Sequence, residues 1–507
     1  MKKLSVLVVS VAWSLAAFSI NLTDGVLTLT SGTMSELTEE LAAITGGQVT
    51  KIVKTGTGSL YLDADLSAYR GSWDIQNGKV IIRIQEGALG SYGDGTDEVL
   101  VSSASAQLQF PGGAYDKLPI TIDKPVRFSA SSKNTNDTGA MLSIVNHTSA
   151  NTFKRKVTIE GADFGFFGGG GFTCEGGFDA PNATIVNQGA NYYLNIRNVP
   201  CNVKCFYLTY HNVAFEVSGN KLKKFDYSSS GAGLVVKCDN PFAEDGIPEL
   251  FGSASTSSRT FYLNGFTAKI GNINVTNAVS FSVANQDAYK NLTGNLTISN
   301  ASDCVLSGAW NAPLNLTKEG SGKLTLKSLS QAGSLTARQG TVVLPETMTW
   351  PTCTGLNLDG GRVEVNGLNS LPAVPVTVTD GTSVDVLRLI DDFDYSFSSL
   401  TVGGETADYG LYGGAAAEVS DEYKCSWLDA ACTGRLAVDN DLVLTQAGNF
   451  SELVTGDTLA HVLDNTYTRI VVKGNLTLDM ELPSYRGGWR IENGVTKGSN
   501  ALGLGVY

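Results

Sequence analysis

The ten-residue phrase YRGSWDIQNG at residues 69–78 (the first phrase) returns as YRGGWRIENG at residues 485–494 (the second phrase), 416 positions later. The match continues on both sides, so residues 439–507 read as the start of a second copy of residues 23–92. Long tandem repeats are typical of solenoids, in which each repeat buries its apolar face only against its neighbours. The repetition therefore predicts a stack of similar units.

The sequence inside the repeat unit alternates between short strands and small turns. Residues 316–344, LTKEGSGKLTLKSLSQAGSLTARQGTVVL, contain Gly-Ser-Gly and Gln-Gly turns around strands such as Leu324-Thr325-Leu326. Such alternation is typical of half-buried strands. The pattern predicts an all-β fold, a parallel β-helix with Gly/Asn-rich turns. A set of β-sandwich domains of about 100 residues is the alternative.

Helical periodicity is scarce along the chain. The best helix candidate is SELTEELAA at residues 35–43, with Ser35 as its predicted N-cap. Serine suits that position because its hydroxyl can accept a hydrogen bond from a free amide of the first helical turn.

The glycine-rich turns carry a family resemblance. KTGTGSLYL at residues 54–62, followed by Tyr-Arg-Gly and Asn-Gly, resembles the autotransporter-associated β-strand repeat, also called the passenger-associated transport repeat. KEGSGKLTL at residues 318–326 is similar to it, and the clear matches cover about 54–84, 318–344 and 473–495. The resemblance implies a right-handed parallel β-helix of bacterial type that is exported to the cell surface or beyond.

The N-terminus has the features of a secretory signal peptide. Lys2 and Lys3 precede an apolar run from residue 4 to residue 18, and Ser19 completes a small-x-small cleavage site. This order of charge, apolar run and small residues is how export signals are read. We therefore expect a cleaved signal and a secreted or cell-surface location. No other apolar run reaches membrane length, so we expect no transmembrane segment in the mature chain.

The changes in repetitiveness divide the chain into four predicted segments. The segments are a signal peptide at 1–19, a β-helix repeat region at 20–370, a less repetitive β segment at 371–438, and the start of the second copy at 439–507. The segment at 371–438 is interpreted as a small additional β-domain or an insertion.

The chain is acidic, with 36 Lys and Arg against 49 Asp and Glu and a formal net charge of −13. A surface of this sign repels a phosphate backbone, so nucleic acid is not an expected partner. An extracellular glycan or another surface component fits the composition and the export signal better.

Eight cysteines suit an oxidising compartment. Cys425 and Cys432 flank a six-residue loop, while Cys201 and Cys205 are near enough in sequence to pair across a turn. We predict disulfides among these four, with buried thiols as the alternative. A metal site is less favoured because the chain has only three histidines.

Three acidic loops are candidate chemical sites, namely residues 391–394 (DDFD), 239–246 and 93–97 (GDGTD). Carboxylates within one loop do not supply the opposed acid and base that glycan cleavage needs. Solvated turns are the favoured interpretation, with weak Ca²⁺ binding as a minor option. We therefore predict no catalytic residues, no metal site and no cofactor.

The aromatic residues of the two phrases are the best binding candidates. Tyr69 and Trp73, with their counterparts Tyr485 and Trp489, can stack on sugars, or they can cover a coil and bridge adjacent turns. The second interpretation is favoured. The sequence as a whole predicts a non-catalytic β-helical protein, adhesin-like or structural. A β-helical polysaccharide lyase or glycoside hydrolase acting on extracellular glycans is the alternative.

Overall fold

The computed structural model shows a mostly β chain, a parallel β-solenoid of about 18 turns with few helices. The predicted fold class is therefore confirmed. The structure describes residues 20–93, 95, 97–111, 119–133, 141–144, 151–168, 171–188, 192–208, 211–227, 233–252, 259–275, 281–306, 308, 310–327, 332–346, 350, 352–367, 374–390, 393–407, 410–438, 441–463, 469–482, 484–485, 488–492 and 496–498. The predicted signal peptide lies outside these ranges.

The chain divides after Lys204 into two compact units, unit 1 and unit 2. In unit 1, successive coils of the solenoid add parallel strands to three ladders. The first ladder runs through Val26–Leu29, Lys51–Lys54, Ser72–Ile75, Val99–Val101, Val126–Phe128, Val157–Ile159 and Phe178–Gln188. The second runs through Gly32–Thr33, Ser59–Leu62, Gly78–Ile82, Ala106–Phe110, Leu142–Ile144, Asp163–Gly168 and Phe178–Gln188. The third runs through Thr121–Ile122, Asn151–Phe153, Phe172–Cys174 and Tyr192–Ile196.

Ile20–Thr23 pairs antiparallel with Val26–Leu29. The strand Asn202–Leu208 crosses the division between the units.

Unit 2 has the same parallel stacking, in four ladders of three to seven strands. The first ladder contains Lys221–Tyr227, Glu249–Gly252 and Ile273–Val275. The second contains His211–Phe215, Gly233–Val236, Arg259–Tyr262 and Phe281–Ala284. The third contains Thr267–Ile270, Gly294–Ser299, Leu314–Glu319, Gly333–Ala337, Cys353–Leu358, Pro375–Val378 and Ser399–Val402, and the fourth contains Cys304–Leu306, Lys323–Leu326, Thr341–Leu344, Arg362–Val365 and Leu387–Leu389.

Antiparallel pairs interrupt this pattern in the less repetitive segment. Ser399–Val402 pairs with Glu405–Thr406, and Gly410–Gly413 pairs with Arg435–Val438, which also receives Asp394–Phe397 in parallel. Parallel pairing resumes in the second copy, where the two ladders are Asp441–Leu444, Arg469–Val472 and Gly488–Ile491, and Gly448–Asn449, Leu476–Leu478 and Thr496–Gly498.

Alternating side chains build the core, as the sequence predicts. In Lys323–Leu326 the leucines Leu324 and Leu326 are buried, and Thr325 between them is partly exposed. Because parallel strands of adjacent coils are in register, each buried leucine or valine meets an apolar residue one coil away, such as Val342 beside Leu324. The apolar core is therefore built by stacking these residues coil upon coil, and the buried residues of the second copy form a core cluster of their own.

The α-helices of the described residues lie near the starts of the two copies. Thr38–Thr45 is α-helical after a 3₁₀ turn at Met34–Glu36, which agrees with the predicted helix at residues 35–43. Among the described residues the other α-helices are Phe450–Leu453 and Gly456–Leu463, and further 3₁₀ turns lie at Glu244–Gly246, Asp287–Tyr289 and Asp421–Tyr423. The predicted N-cap is wrong, because Leu37 occupies that position. Ser35 instead binds Asp63 of the next coil through its amide (2.9 Å) and hydroxyl (2.7 Å).

Charged side chains connect neighbouring coils on the outer faces. In unit 1 Arg127 binds Glu98 and Glu160, and in unit 2 Glu319 binds Lys269 (2.5 Å) and Arg338 (3.3 Å). Hydrogen bonds from Lys269 and Arg338 lower the pKa of Glu319 below its usual 4.5. Burial alone would raise the pKa of Asp74, but bonds from Gln76, Ser102 and Lys51 hold it below 3.8.

These lowered carboxyl pKa values predict acid sensitivity. A carboxyl group whose folded pKa is depressed contributes stability above its unfolded pKa, and that stability is lost as the pH falls towards the folded pKa. We therefore expect the free energy of unfolding to decrease progressively below about pH 4. Urea unfolding followed by circular dichroism between pH 7 and pH 2 measures it. A urea midpoint that stays constant from pH 7 to pH 2 would contradict the lowered carboxyl pKa values.

Candidate functional site

The first phrase forms a compact aromatic corner in unit 1. The rings of Tyr69 and Trp73 meet edge to face, with centroids 6.3 Å apart and an angle of 90° between the planes. Tyr69 Oη donates to the carbonyl of Ser72 at 2.6 Å, and Trp73 Nε1 donates to the carbonyl of Leu89 at 3.0 Å. Each residue is 1% exposed. The ring faces are therefore covered by protein and are not presented to solvent as a sugar-stacking platform.

Gly71 is the residue that permits this corner. A Cβ at that position would lie 2.3 Å from the carbonyl oxygen of Thr50 and 2.5 Å from Tyr69 Oη. Both distances are far below van der Waals contact, so a side chain would displace either the ring or the neighbouring coil. The Tyr-Arg-Gly order in the phrase therefore reflects close packing.

The second copy reproduces these contacts. The rings of Tyr485 and Trp489 lie 6.1 Å apart at 88°, and Ser451 binds the carboxylate of Asp479 through its amide and hydroxyl as Ser35 binds Asp63. One difference concerns exposure. Trp489 is only partly buried, whereas Trp73 is covered on its far side by the strand Val99–Val101. What has been duplicated is thus a set of packing contacts between coils.

A buried lysine ends the strand Lys51–Lys54, which precedes the first phrase. Lys54 is fully buried, and its ammonium donates to the carbonyl oxygens of Thr55 (2.5 Å), Gly56 (2.9 Å) and Asn77 (2.9 Å). Two of these oxygens belong to the turn that directly follows Lys54, and the third belongs to the next coil. Burial lowers the pKa of Lys54 to about 8. We call this arrangement the lysine cradle.

The same cradle occurs in unit 2 at the other strong match to the repeat. The Lys318 ammonium donates to the carbonyls of Glu319 (2.5 Å), Gly320 (2.5 Å) and Gln339 (3.2 Å). In the second copy the matching position is Val472, and the turn is two residues shorter. Sequence reasoning did not single out this lysine, although its place two residues before the first turn glycine in KTGTG and KEGSG was visible.

A groove of about 860 Å³ adjoins the aromatic corner. Its size is within the range of ligand-binding sites. The lining includes Val49, Thr50, Lys51, Arg70, Gly71 and Asp97.

Asp97 and Lys124 form a buried ion pair beside the groove. Asp97 Oδ2 lies 3.4 Å from Lys124 Nζ and accepts a hydrogen bond from the Gly93 amide at 2.7 Å. Lys124 Nζ also donates to the carbonyl of Gly71 at 2.5 Å. Burial and the positive charge of Arg70 lower the pKa of Lys124 to about 8, although Asp97 opposes the shift. Asp97 Oδ1 is buried and has no hydrogen-bond partner among the described residues.

The three acidic loops predicted from the sequence are described only in part. Asp391 and Asp392 lie outside the described residues, as do Asp94 and Thr96. In the loop at 239–246, Asp239 accepts a hydrogen bond from the Thr267 amide of a neighbouring coil at 2.7 Å, which is a structural contact. Within the described ranges, no group of three or more His, Cys, Asp or Glu residues is placed to hold a metal ion.

The cysteines show one departure from expectation. The turn expected between Cys201 and Cys205 is part of an extended strand, Asn202–Leu208, in which residues four apart are separated by about 13 Å. A disulfide needs Cα atoms within about 7 Å. Cys432 is buried with Sγ 2.7 Å from the carbonyl of Leu389, and Cys425 is partly buried. The disulfide expected between Cys425 and Cys432 stays a prediction.

Comparison with known proteins assigns no relative, since no family model, curated protein or solved structure matches the chain. The structure shows a β-solenoid, and membership of the passenger-associated transport repeat family stays a prediction. Among the described residues there is also no helix with the length and apolar character needed to cross a membrane.

Proposed function

We propose that the protein is a non-catalytic, secreted or cell-surface β-solenoid with an adhesin-like or structural role. The observation that carries the proposal is the second copy, which repeats the Ser-Asp bond and the Tyr-Trp pair. Duplicating such contacts lengthens a stack of coils, since each coil is stabilised by its neighbours. Extra length is useful to a stalk or scaffold, whereas it adds nothing evident to a single catalytic site.

Two sequence features support an extracellular setting. Residues 1–19 have the order of an export signal, and the Gly-Ser/Thr-Gly turns resemble the passenger-associated transport repeat of exported proteins. The ion pairs between coils, such as Arg127 with Glu98 and Glu160, use surface charge for stacking. A passenger-like surface protein combines these features.

Export is tested by expressing the chain with a C-terminal epitope tag in a Gram-negative bacterium. We expect the tagged chain outside the cytoplasm after fractionation, and we expect a variant without residues 2–19 to remain inside. A full chain that stays cytoplasmic would overturn the extracellular role.

The absence of catalysis is tested with the purified chain and a panel of neutral and acidic polysaccharides. We expect no increase in reducing ends or in unsaturated products over a heat-denatured control. New chain ends formed in proportion to the protein added would support the alternative, a polysaccharide lyase or glycoside hydrolase.

A further inference from the structure

The side chains of Asp97 and Lys124 face each other at equivalent positions of two adjacent coils in unit 1. Val99 pairs with Val126 in the first ladder of that unit, and each charged residue lies two positions before one of these valines. Asp97 Oδ2 and Lys124 Nζ are 3.4 Å apart, and both side chains are fully buried. The stacking of the coils therefore holds a carboxylate and an ammonium side by side, away from solvent.

The hydrogen-bond partners around the pair suit an amide better than two ions. The Gly93 amide donates to Asp97 Oδ2 at 2.7 Å, and the Gly71 carbonyl accepts from Lys124 Nζ at 2.5 Å. Asp97 Oδ1 is buried and has no hydrogen-bond partner among the described residues. An amide between the two side chains would keep Oδ2 as its carbonyl oxygen, bonded to Gly93, and its N–H would donate to Gly71. The oxygen that would be lost is the one without a donor.

Burial favours such an amide over the ion pair. Two charges removed from water are costly even when they are paired, whereas an amide with both hydrogen bonds made carries no charge. Burial lowers the pKa of Lys124 to about 8, which brings the reactive neutral amine within reach. The aromatic ring of Tyr69, whose centroid lies 4.8 Å from Nζ, forms one wall of this site. Groups held together in this way react as if present at an effective concentration on the order of 10⁵ M or more.

We propose that Lys124 Nζ and Asp97 Cγ join in an isopeptide bond that links two adjacent coils covalently. The amine attacks Cγ, and the Gly93 N–H stabilises the negative charge that develops on Oδ2. The bond from Cγ to Oδ1 then breaks. Of the three hydrogens of the ammonium, one stays on the amide nitrogen and two leave with Oδ1 as water. The reaction is balanced without an oxidant or a second substrate, and the inference does not depend on the proposed function.

The test is the intact mass of the full chain, purified in the folded state and then denatured for electrospray mass spectrometry. We expect a mass lower by one water than the value calculated from the sequence and the measured N-terminus. Tandem mass spectrometry of proteolytic fragments should place the link between Asp97 and Lys124. A chain that keeps its full calculated mass, even after prolonged incubation of the folded protein, would overturn the inference.

A succinimide is the other modification that must be distinguished. It forms at Asp-Gly sequences, such as Asp94-Gly95, and it also removes one water. Hydroxylamine opens a succinimide but leaves an isopeptide bond intact, so we expect the mass deficit to persist after this treatment. A deficit that disappears, or a link that is found at another pair of residues, would overturn the inference.

Variants test the role of the lysine. Lys124→Arg keeps the positive charge but has no primary amine, so we expect it to have the full calculated mass. Its matched control is Lys51→Arg, since Lys51 lies 3.1 Å from Asp74 but its side chain is 40% exposed. We expect this control to show the same loss of one water as the wild type. A mass deficit that persists in Lys124→Arg, or that is lost in Lys51→Arg, would contradict the assignment to the buried pair.

Discussion

Replacing Gly78 with alanine is expected to destabilise unit 1 by about 3 kcal/mol. Gly78 has φ +68, a left-handed conformation that costs a residue with a side chain about 1–2 kcal/mol. The new Cβ would also lie 2.4 Å from the carbonyl oxygen of Gly58, 2.6 Å from that of Gly56 and 2.8 Å from Lys54 Nζ. These contacts are with backbone that cannot move aside easily, so overpacking adds about 1–3 kcal/mol.

Gly47→Ala is the matched control for this prediction. Gly47 has φ +77, and no atom lies within 4 Å of the position its Cβ would take. The control therefore pays the left-handed strain without the clash, and we expect it to cost about 1 kcal/mol. Urea unfolding together with hydrogen exchange of the strand Gly78–Ile82 measures both variants. Equal destabilisation in the two would show that the cradle does not depend on the close approach.

Much of this architecture could be predicted from the sequence. The alternation in LTL and the Gly-x-Gly turns identified the strands, because side chains of a strand point to opposite faces and only one face meets the core. The repeat at an offset of 416 residues identifies equivalent positions from the sequence alone. These features depend on local periodicity, which a single sequence shows directly.

The candidate groove could not be predicted in the same way. Asp97 and Lys124 are 27 residues apart, and Lys124 reaches Gly71 across 53 residues. Their proximity depends on how many residues each coil contains, and that number varies along the chain. Ser35 shows the same limit: its hydroxyl suited a helix N-cap, but the stacking of coils places Asp63 within 2.7 Å of it. A contact between coils thus replaced the predicted local one.

Replacing Lys54 with valine is expected to cost about 2–4 kcal/mol. The substitution leaves the carbonyl oxygens of Thr55, Gly56 and Asn77 without their shared donor, and each unsatisfied buried group costs about 1–3 kcal/mol. Relief from burying an ammonium offsets part of this. The control is Lys154→Val, an exposed lysine for which we expect a change within about 0.5 kcal/mol.

The pH dependence gives a second readout of the same variant. The pKa of Lys54 is about 8 in the folded chain and 10.5 in its ordinary state, so the unfolded chain holds more protons between these values. The free energy of unfolding of the wild-type protein therefore rises with pH between about 8 and 10.5, and the Lys54→Val variant should show a shallower rise. An unchanged slope would contradict the burial of this ammonium.

The second copy suggests how the loss can be repaired. There Val472 occupies the lysine position and KGN replaces TGTGS, so the lysine and the longer turn are absent together. If the cradle exists to satisfy the carbonyls of the longer turn, replacing residues 54–59 (KTGTGS) with VKGN should recover most of the stability lost in Lys54→Val. Urea unfolding of the wild type, the single variant and the exchanged turn decides it. An exchanged turn that is no more stable than Lys54→Val would show that the lysine and the turn length are independent.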